Sequence, residues 1–272
     1  MKNFCYLCSR KKKRLMTKKI IIKIGSSSLL NEQGIDDLKI EQLFREISGL
    51  MQAGVEVLLV TSGAIALGCH KLRLAEKPKS MALKQACASI GQVGLMNKYE
   101  IEAEKVGLNI GQILVNHDDF VNKKRMLNLS NTLQALLEKK VLPVINENDA
   151  LMVEEIRVGD NDTLSSFFVP MLDAQLLIIV SDIDGLYDKN PKEYPDAKLV
   201  ETVVEINDDI RNMTGTKISA VGTGGMQTKL QAAEIVMRAG GNMVIINSNH
   251  LEGITQAVRG EKVGTLFIGK KK

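Results

Sequence analysis

Short aliphatic runs, each ending in small or polar residues and each followed by helical spacing, recur along nearly the whole chain. Ile20–Ile24 runs into Gly25 and three serines, and Val55–Val60 into Thr61-Ser62-Gly63. Val141–Ile145 runs into Asn146-Glu147-Asn148-Asp149, and Leu176–Val180 into Ser181-Asp182. A run that is apolar at every position fits a strand buried on both faces, the condition of a parallel sheet covered by helices. Ile110–Val115 and Met243–Ile246 read as further strands, and Thr265–Ile268 as one that closes an edge. Helical spacing fills Leu38–Gln52, Ser80–Val106, Asn128–Lys139, Asp160–Asp173, the stretch from Gly224-Gly225 to about Arg238, and Leu251–Val258. The expected class is α/β, with a mostly parallel sheet and helices on both faces. Ligands of such sheets sit outside the carboxyl ends of the strands, so the polar strand ends Gly25–Ser28, Ser62–Gly63, Asn146–Asp149 and Ser181–Asp182 mark the expected site.

A chain of 272 residues, 44% of them hydrophobic, can bury a large core as one sizeable domain or two small ones, and nothing marks a linker. Aromatic residues are 4% and Trp is absent, so the core must rest on Ile, Leu, Val, Ala and Met. The formal charge of +4 comes from the ends. Eight of the 36 Lys and Arg fall in residues 1–19 and three in 270–272, leaving 25 against 32 Asp and Glu. A basic partner-binding face is therefore no property of the body, and a nucleic-acid role loses its support. Cys5, Cys8, Cys69 and Cys87 give no disulfide framework, and the CxxC of Cys5 and Cys8 has no second pair at metal spacing. The segment IIIKIG is too short for a signal-peptide core or a membrane span, which leads to the expectation of a cytoplasmic protein. Met16 is a plausible alternative start. Residues 1–17 are expected to be a disordered basic extension and 270–272 a lysine tail.

Three groups of residues could carry chemistry. Gly25 with its serines, and Gly224-Gly225 at a helix start, can bring backbone N–H groups to a phosphate, although a glycine after a strand is more often a plain turn. No GxxxxGK[ST] and no GxGxxG after a strand is present, which argues against P-loop and dinucleotide folds. Lys23 lies inside an apolar strand, where an ammonium is costly without a partner unless the strand is at an edge. Lys229 lies one turn into the helix opened by Gly224-Gly225. Fixed cations of this kind neutralise charge during phosphoryl transfer. The third group is VINENDA (144–150) with VGDND (158–162), where Asn146, Glu147, Asn148, Asp149, Asp160, Asn161 and Asp162 crowd one strand end and one helix start. Such clusters bind an amine, hold Mg²⁺ through water or orient lysines, and they also cap helices. His70, His117 and His250 show no ligand spacing, and no GxSxG frame appears.

The segments IKIGSSSL (22–29), VTSGAIALG (60–68), ASIGQ (88–92), PVINENDA (143–150), VGDNDTLS (158–165), SDIDGLY (181–187) and GTGGMQTKLQAA (222–233) together resemble the glutamate 5-kinases, a branch of the amino acid kinase family. The resemblance runs in order from about Lys18 to Phe267 and defines a domain over 18–269. It implies a three-layer αβα sandwich. It also implies transfer of the γ-phosphoryl group of ATP, with Mg²⁺ and no dedicated protein ligand for it, to the side-chain carboxylate of L-glutamate. That is the first step of proline biosynthesis, with proline as feedback inhibitor and a homo-oligomer, dimer or tetramer, as the assembly. Neither nucleic acid nor membrane is an implied partner.

Carried over residue by residue, Lys23 and Lys229 match the transition-state lysines and Asp162 the aspartate that orients them. Ser62, Asp149 and Asn161 match glutamate-holding positions, with Asn146 nearby. Lys23, Ser181, Asp182, Thr223, Gly224, Gly225, Met226, Gln227, Thr228 and Lys229 match the nucleotide-binding set. Three departures stand out: the chain ends without the RNA-binding-like (PUA) domain of many relatives, Ser181 replaces a frequent threonine, and the first fifteen residues have no counterpart. The alternatives are a kinase of the same superfamily for another small acid, or a non-catalytic proline or nucleotide sensor.

Overall fold

The computed structural model describes residues 17–31, 34–151, 160–213 and 225–270. The strands of the main sheet are β1 (Lys19–Ile24), β2 (Glu56–Val60), β3 (Ile110–Val115), β4 (Leu142–Glu147), β5 (Leu176–Ser181), β6 (Thr202–Val203), β7 (Asn242–Asn247) and β8 (Thr265–Phe267). They form one sheet in the order β3-β4-β2-β1-β5-β7-β8-β6. Every pairing is parallel except that of β8 with β7. The main helices are α1 (Asp37–Gln52), α2 (Ala64–Lys71), α3 (Met81–Lys105), α4 (Lys123–Glu138), α5 (Asn161–Leu172), α6 (Met226–Arg238) and α7 (Gly253–Val258). The fold is the α/β sandwich that the alternating pattern implied.

Side chains alternate across a strand, so each aliphatic run feeds two cores at once. Ile20, Ile22 and Ile24 of β1 pack into one layer with Ile40, Leu43, Phe44 and Ile47 of α1, Tyr99 of α3 and Ile254 of α7. Ile21 packs into the other with Leu133 of α4, Phe168 of α5 and Ala233 of α6. Each such isoleucine is fully buried and contributes roughly 1.5–3 kcal/mol relative to exposure. The spacing of Ile40, Leu43, Phe44 and Ile47 is the i, i+3, i+4, i+7 stripe of an amphipathic helix. The Asp36 side chain caps α1 by accepting from the backbone N–H of Lys39 at 3.2 Å.

Helices α2 and α3 touch through glycine. A Cβ on Gly91 would stand 1.8 Å from the Ala64 carbonyl oxygen, and one on Gly68 would stand 1.9 Å from that of Cys87. Only glycine lets these two backbones approach so closely.

Two expectations change, and the partnered reading of Lys23 holds. Thr265–Phe267 is an interior strand, and the edge is the two-residue β6, drawn from a segment that reads as a polar connection. Helix α4 begins at Lys123, before the apolar stripe, because the Asn122 side chain accepts from the N–H groups of Lys124 and Arg125, both at 3.1 Å. Strand β1 lies between β2 and β5, so Lys23 does not escape to solvent from an edge. Residues 1–16 of the proposed extension, including the CxxC, lie outside the described residues. Among those described, no helix is long and apolar enough to cross a membrane.

Candidate active site

Four adjacent parallel strands, β4, β2, β1 and β5, end on the same rim. The polar residues beyond their aliphatic runs therefore meet: Asn146–Asp149, Ser62–Gly63, Gly25–Ser28 and Ser181–Asp182. Gly63 has φ of 103° and turns the chain from β2 directly into α2, leaving Ser62 on the rim. Helices α5 and α6 bring their N-terminal ends to the same place.

Lys23 follows the alternation of Ile21 and so points toward α5 and α6. Its Nζ stands 2.5 Å from Oδ1 of Asp162, and Nζ of Lys229 stands 3.0 Å from Oδ2. The Thr228 hydroxyl donates to the same Oδ2 at 3.1 Å. All three charged groups are buried; Asp162 is 0% exposed, Lys23 7% and Lys229 4%. Burial pushes the Asp162 carboxyl up, but Lys23 and Lys229 outweigh it and hold the group at about 2. Gly25 lies against this centre, since a Cβ there would stand 3.5 Å from Lys23 Nζ.

Asp160 caps α5. Its Oδ1 accepts from the N–H of Asp162 at 2.5 Å and of Thr163 at 3.0 Å. Burial, then the neighbouring charge of Asp162, pushes the Asp160 carboxyl up. The cap fixes the first turn of α5 and hence the direction of both Asn161 and Asp162.

Asn161 turns to the other side of the rim. Its Nδ2 lies 2.7 Å from the Thr61 carbonyl oxygen, 2.7 Å from Ser62 Oγ and 3.0 Å from Asn146 Oδ1. Asn146, 1% exposed, also accepts at Oδ1 from the N–H of Glu147 at 2.9 Å, and its Nδ2 donates to Gln92 Oε1 at 2.9 Å. Asp149 opens a short 3-10 turn, Asp149–Leu151, at the end of the same strand connection. Ser62, Asn146 and Asn161 are thus in direct contact, one residue along the chain from the lysine-bound Asp162.

Ser181 ends β5, one residue past the Ile24–Val180 pair, and its hydroxyl donates to Asp182 at 3.2 Å. Gly225 is the N-cap of α6; Met226 is half-buried and Gln227 exposed. Thr223 and Gly224 lie outside the described residues.

The model of the amino acid kinase family matches residues 18–247. The chain belongs to the amino acid kinase family. Its relatives include the glutamate 5-kinase of Clostridium acetobutylicum, 47% identical over 93% of this chain and 96% of that one. The glutamate 5-kinase of Caldanaerobacter subterraneus subsp. tengcongensis is 47% identical over 93% of this chain and 68% of that one. Among solved structures, the carbamate kinase of Giardia lamblia bound to AMP-PNP superposes with a TM-score of 0.66 at 16% identity, over 94% of this chain and all of that one. The isopentenyl phosphate kinase of T. acidophilum gives 0.64 at 17% identity, over 92% of this chain and all of that one. These structural likenesses speak for the amino acid kinase fold.

The rim of this family member divides into a cationic half, built on Lys23, Asp162 and Lys229, and an amide half, built on Asn146, Asn161 and Ser62. Three participants are not singled out by sequence reasoning. Gln92 lies in the ASIGQ segment that carries part of the resemblance, but a glutamine on a helix carries no chemical signal by itself. Thr61 and Tyr99, joined by a 2.7 Å hydrogen bond between their hydroxyls, anchor α3 beneath the rim. Nothing in their spacing announces that contact.

Proposed function

We propose that the chain phosphorylates the side-chain carboxylate of L-glutamate with ATP, giving L-glutamyl 5-phosphate and ADP, the first step of proline biosynthesis. The observation that carries this reading is one buried aspartate holding two lysines beside a cluster of neutral amides. The reacting carboxylate is ionised at neutral pH and needs no base to become a nucleophile. Asp162, held low and engaged by two lysines, is a poor base and a good organiser, in keeping with that chemistry.

A carboxylate oxygen attacks the γ-phosphorus, the bond to the β–γ bridging oxygen breaks, and ADP leaves with the electron pair. Lys23 and Lys229 offset the negative charge of donor, transferred group and acceptor, while Asp162 keeps their heads apart and aimed at one point. Ser62, Asn146, Asp149 and Asn161 hold the amino acid. Ser181, Asp182 and the segment Thr223–Lys229 hold the nucleotide. Mg²⁺, carried by ATP, would supply further charge neutralisation on the polyphosphate. Asp162, with both oxygens turned to lysines, is no ligand for it, which fits a metal carried by the triphosphate.

The reading extends to proline as a feedback inhibitor, to a cytoplasmic location and to a homo-oligomer, dimer or tetramer. Hydroxylamine trapping tests the activity: purified protein with ATP, Mg²⁺ and glutamate should form the γ-hydroxamate, and Lys229→Ala, compared as folded protein because it breaks a buried ion pair, should lower turnover at least about 100-fold. Absence of glutamate hydroxamate from folded wild type, with hydroxamate from aspartate or acetylglutamate, or ADP release dependent on UMP, would move the assignment elsewhere in the family.

A further inference from the structure

The amide half of the rim contains two buried polar atoms with no hydrogen-bond partner among the described residues, Asn161 Oδ1 and Gln92 Nε2. Their identities follow from backbone groups whose polarity is fixed. The Thr61 carbonyl can only accept, so Asn161 must present its NH₂ there and turn its oxygen away. The Glu147 N–H can only donate, so Asn146 must receive it with Oδ1 and offer Nδ2 to Gln92. Gln92 must answer with Oε1, which leaves its own NH₂ unpaired. Rotating any one amide would break a hydrogen bond to the backbone or to the next amide. The site therefore offers one acceptor and one donor, in a fixed order, at neutral groups.

A buried polar group without a partner is costly, and sites carry such groups where a ligand completes them. We propose that Gln92 is a further substrate-binding residue, whose Nε2 donates to the carboxylate of the amino acid that is not phosphorylated. Asn161 Oδ1 accepts from the ammonium. The order along the network selects between the two carboxylates: Asn161 adjoins lysine-bound Asp162, whereas Gln92 is the member farthest along the chain of contacts from the lysines. The α-carboxylate therefore falls to Gln92 and the side-chain carboxylate to the cationic half. Tyr99, seven residues on and on the same face of α3, is bonded to Thr61 and holds Gln92 at this height. This inference rests on the glutamate kinase reading.

Steady-state kinetics with L-glutamate and with its α-amide, on wild type, Gln92→Glu and Gln92→Leu, test it. Wild type should phosphorylate the α-amide at least about 10-fold less efficiently, because a neutral amide oxygen accepts from Gln92 more weakly than a carboxylate does. Gln92→Glu should raise KM for glutamate at least about 10-fold, with kcat and KM for ATP little changed. It should also shrink the preference for glutamate over the α-amide by a similar factor. Gln92→Leu, which removes the donor without adding charge, should raise KM for glutamate by about 10-fold. A KM within about 2-fold of wild type in either folded variant, or equal losses with glutamate and its α-amide in Gln92→Glu, would overturn the assignment. Wild type inactive on glutamate would instead overturn the reading beneath it, and is seen before any variant is made.

Discussion

Replacing Asp162 with asparagine keeps the shape of the side chain and removes the charge that two buried lysines share. In the native protein each Nζ lies within 3.0 Å of a different oxygen of that carboxylate. After the change, both ammonium groups stay buried and lose the carboxylate that attracted them from 2.5 and 3.0 Å, so their existing mutual repulsion is no longer offset. Removing one partner of a buried ion pair costs about 3–5 kcal/mol. Urea unfolding should therefore show Asp162→Asn to be less stable by about 3 kcal/mol. Hydroxamate formation should fall at least about 100-fold, since the lysine heads lose their common aim.

Two further readouts separate charge from packing. ATP, as a polyanion, should stabilise Asp162→Asn more than wild type. The stability gap should also depend on pH. The folded carboxyl sits at about 2 against an ordinary 3.8, so its contribution is fully present above about 4 and is lost as pH falls through about 2. The difference is roughly 2 kcal/mol by linkage. Asp160, pushed the other way, gains rather than loses as acid protonates it. The gap between wild type and Asp162→Asn should thus narrow as the solution is taken from pH 5 toward pH 2. An unchanged urea midpoint with unchanged turnover would refute the view of Asp162 as the organiser of the site.

Gly91→Ala places a methyl group 1.8 Å from the Ala64 carbonyl oxygen, so α2 and α3 must separate. We expect a loss of about 2–4 kcal/mol in urea unfolding and a raised KM for glutamate, because Ser62 leads directly into α2. Tyr99→Phe keeps the ring of a fully buried side chain and removes its bond to Thr61. It should cost about 1 kcal/mol in thermal or urea unfolding, and a fully unaffected midpoint would show that the bond adds nothing to stability.

The sequence by itself determined the layered α/β class and most of the strands, because a parallel strand covered on both faces must be aliphatic at every position. Ile20–Ile24 and Leu176–Val180 are legible for that reason, as is the rim where their polar ends gather. It also marked Lys23 by its place inside an aliphatic run, Lys229 by its place one turn past Gly224-Gly225, and Asp162 by the acid-amide cluster and the family resemblance. The edge strand Thr202–Val203 was not legible: two residues carry no period, and their pairing with β8 depends on a strand far along the chain. That Lys23 lies in a central strand was likewise a matter of strand order, which local patterning does not encode.

Only the tertiary structure decided how the acid-amide cluster divides. Asp162 and Asn161 are neighbours in sequence, yet a helix start capped by Asp160 sends one toward the lysines and the other toward Ser62 and Asn146. Gln92 joins that second group from a helix over fifty residues away. Its free N–H is fixed by the direction of a backbone amide and a backbone carbonyl on two other strand ends. Residue types name what a side chain can donate or accept; which of those groups is left over for a substrate depends on every other contact being made.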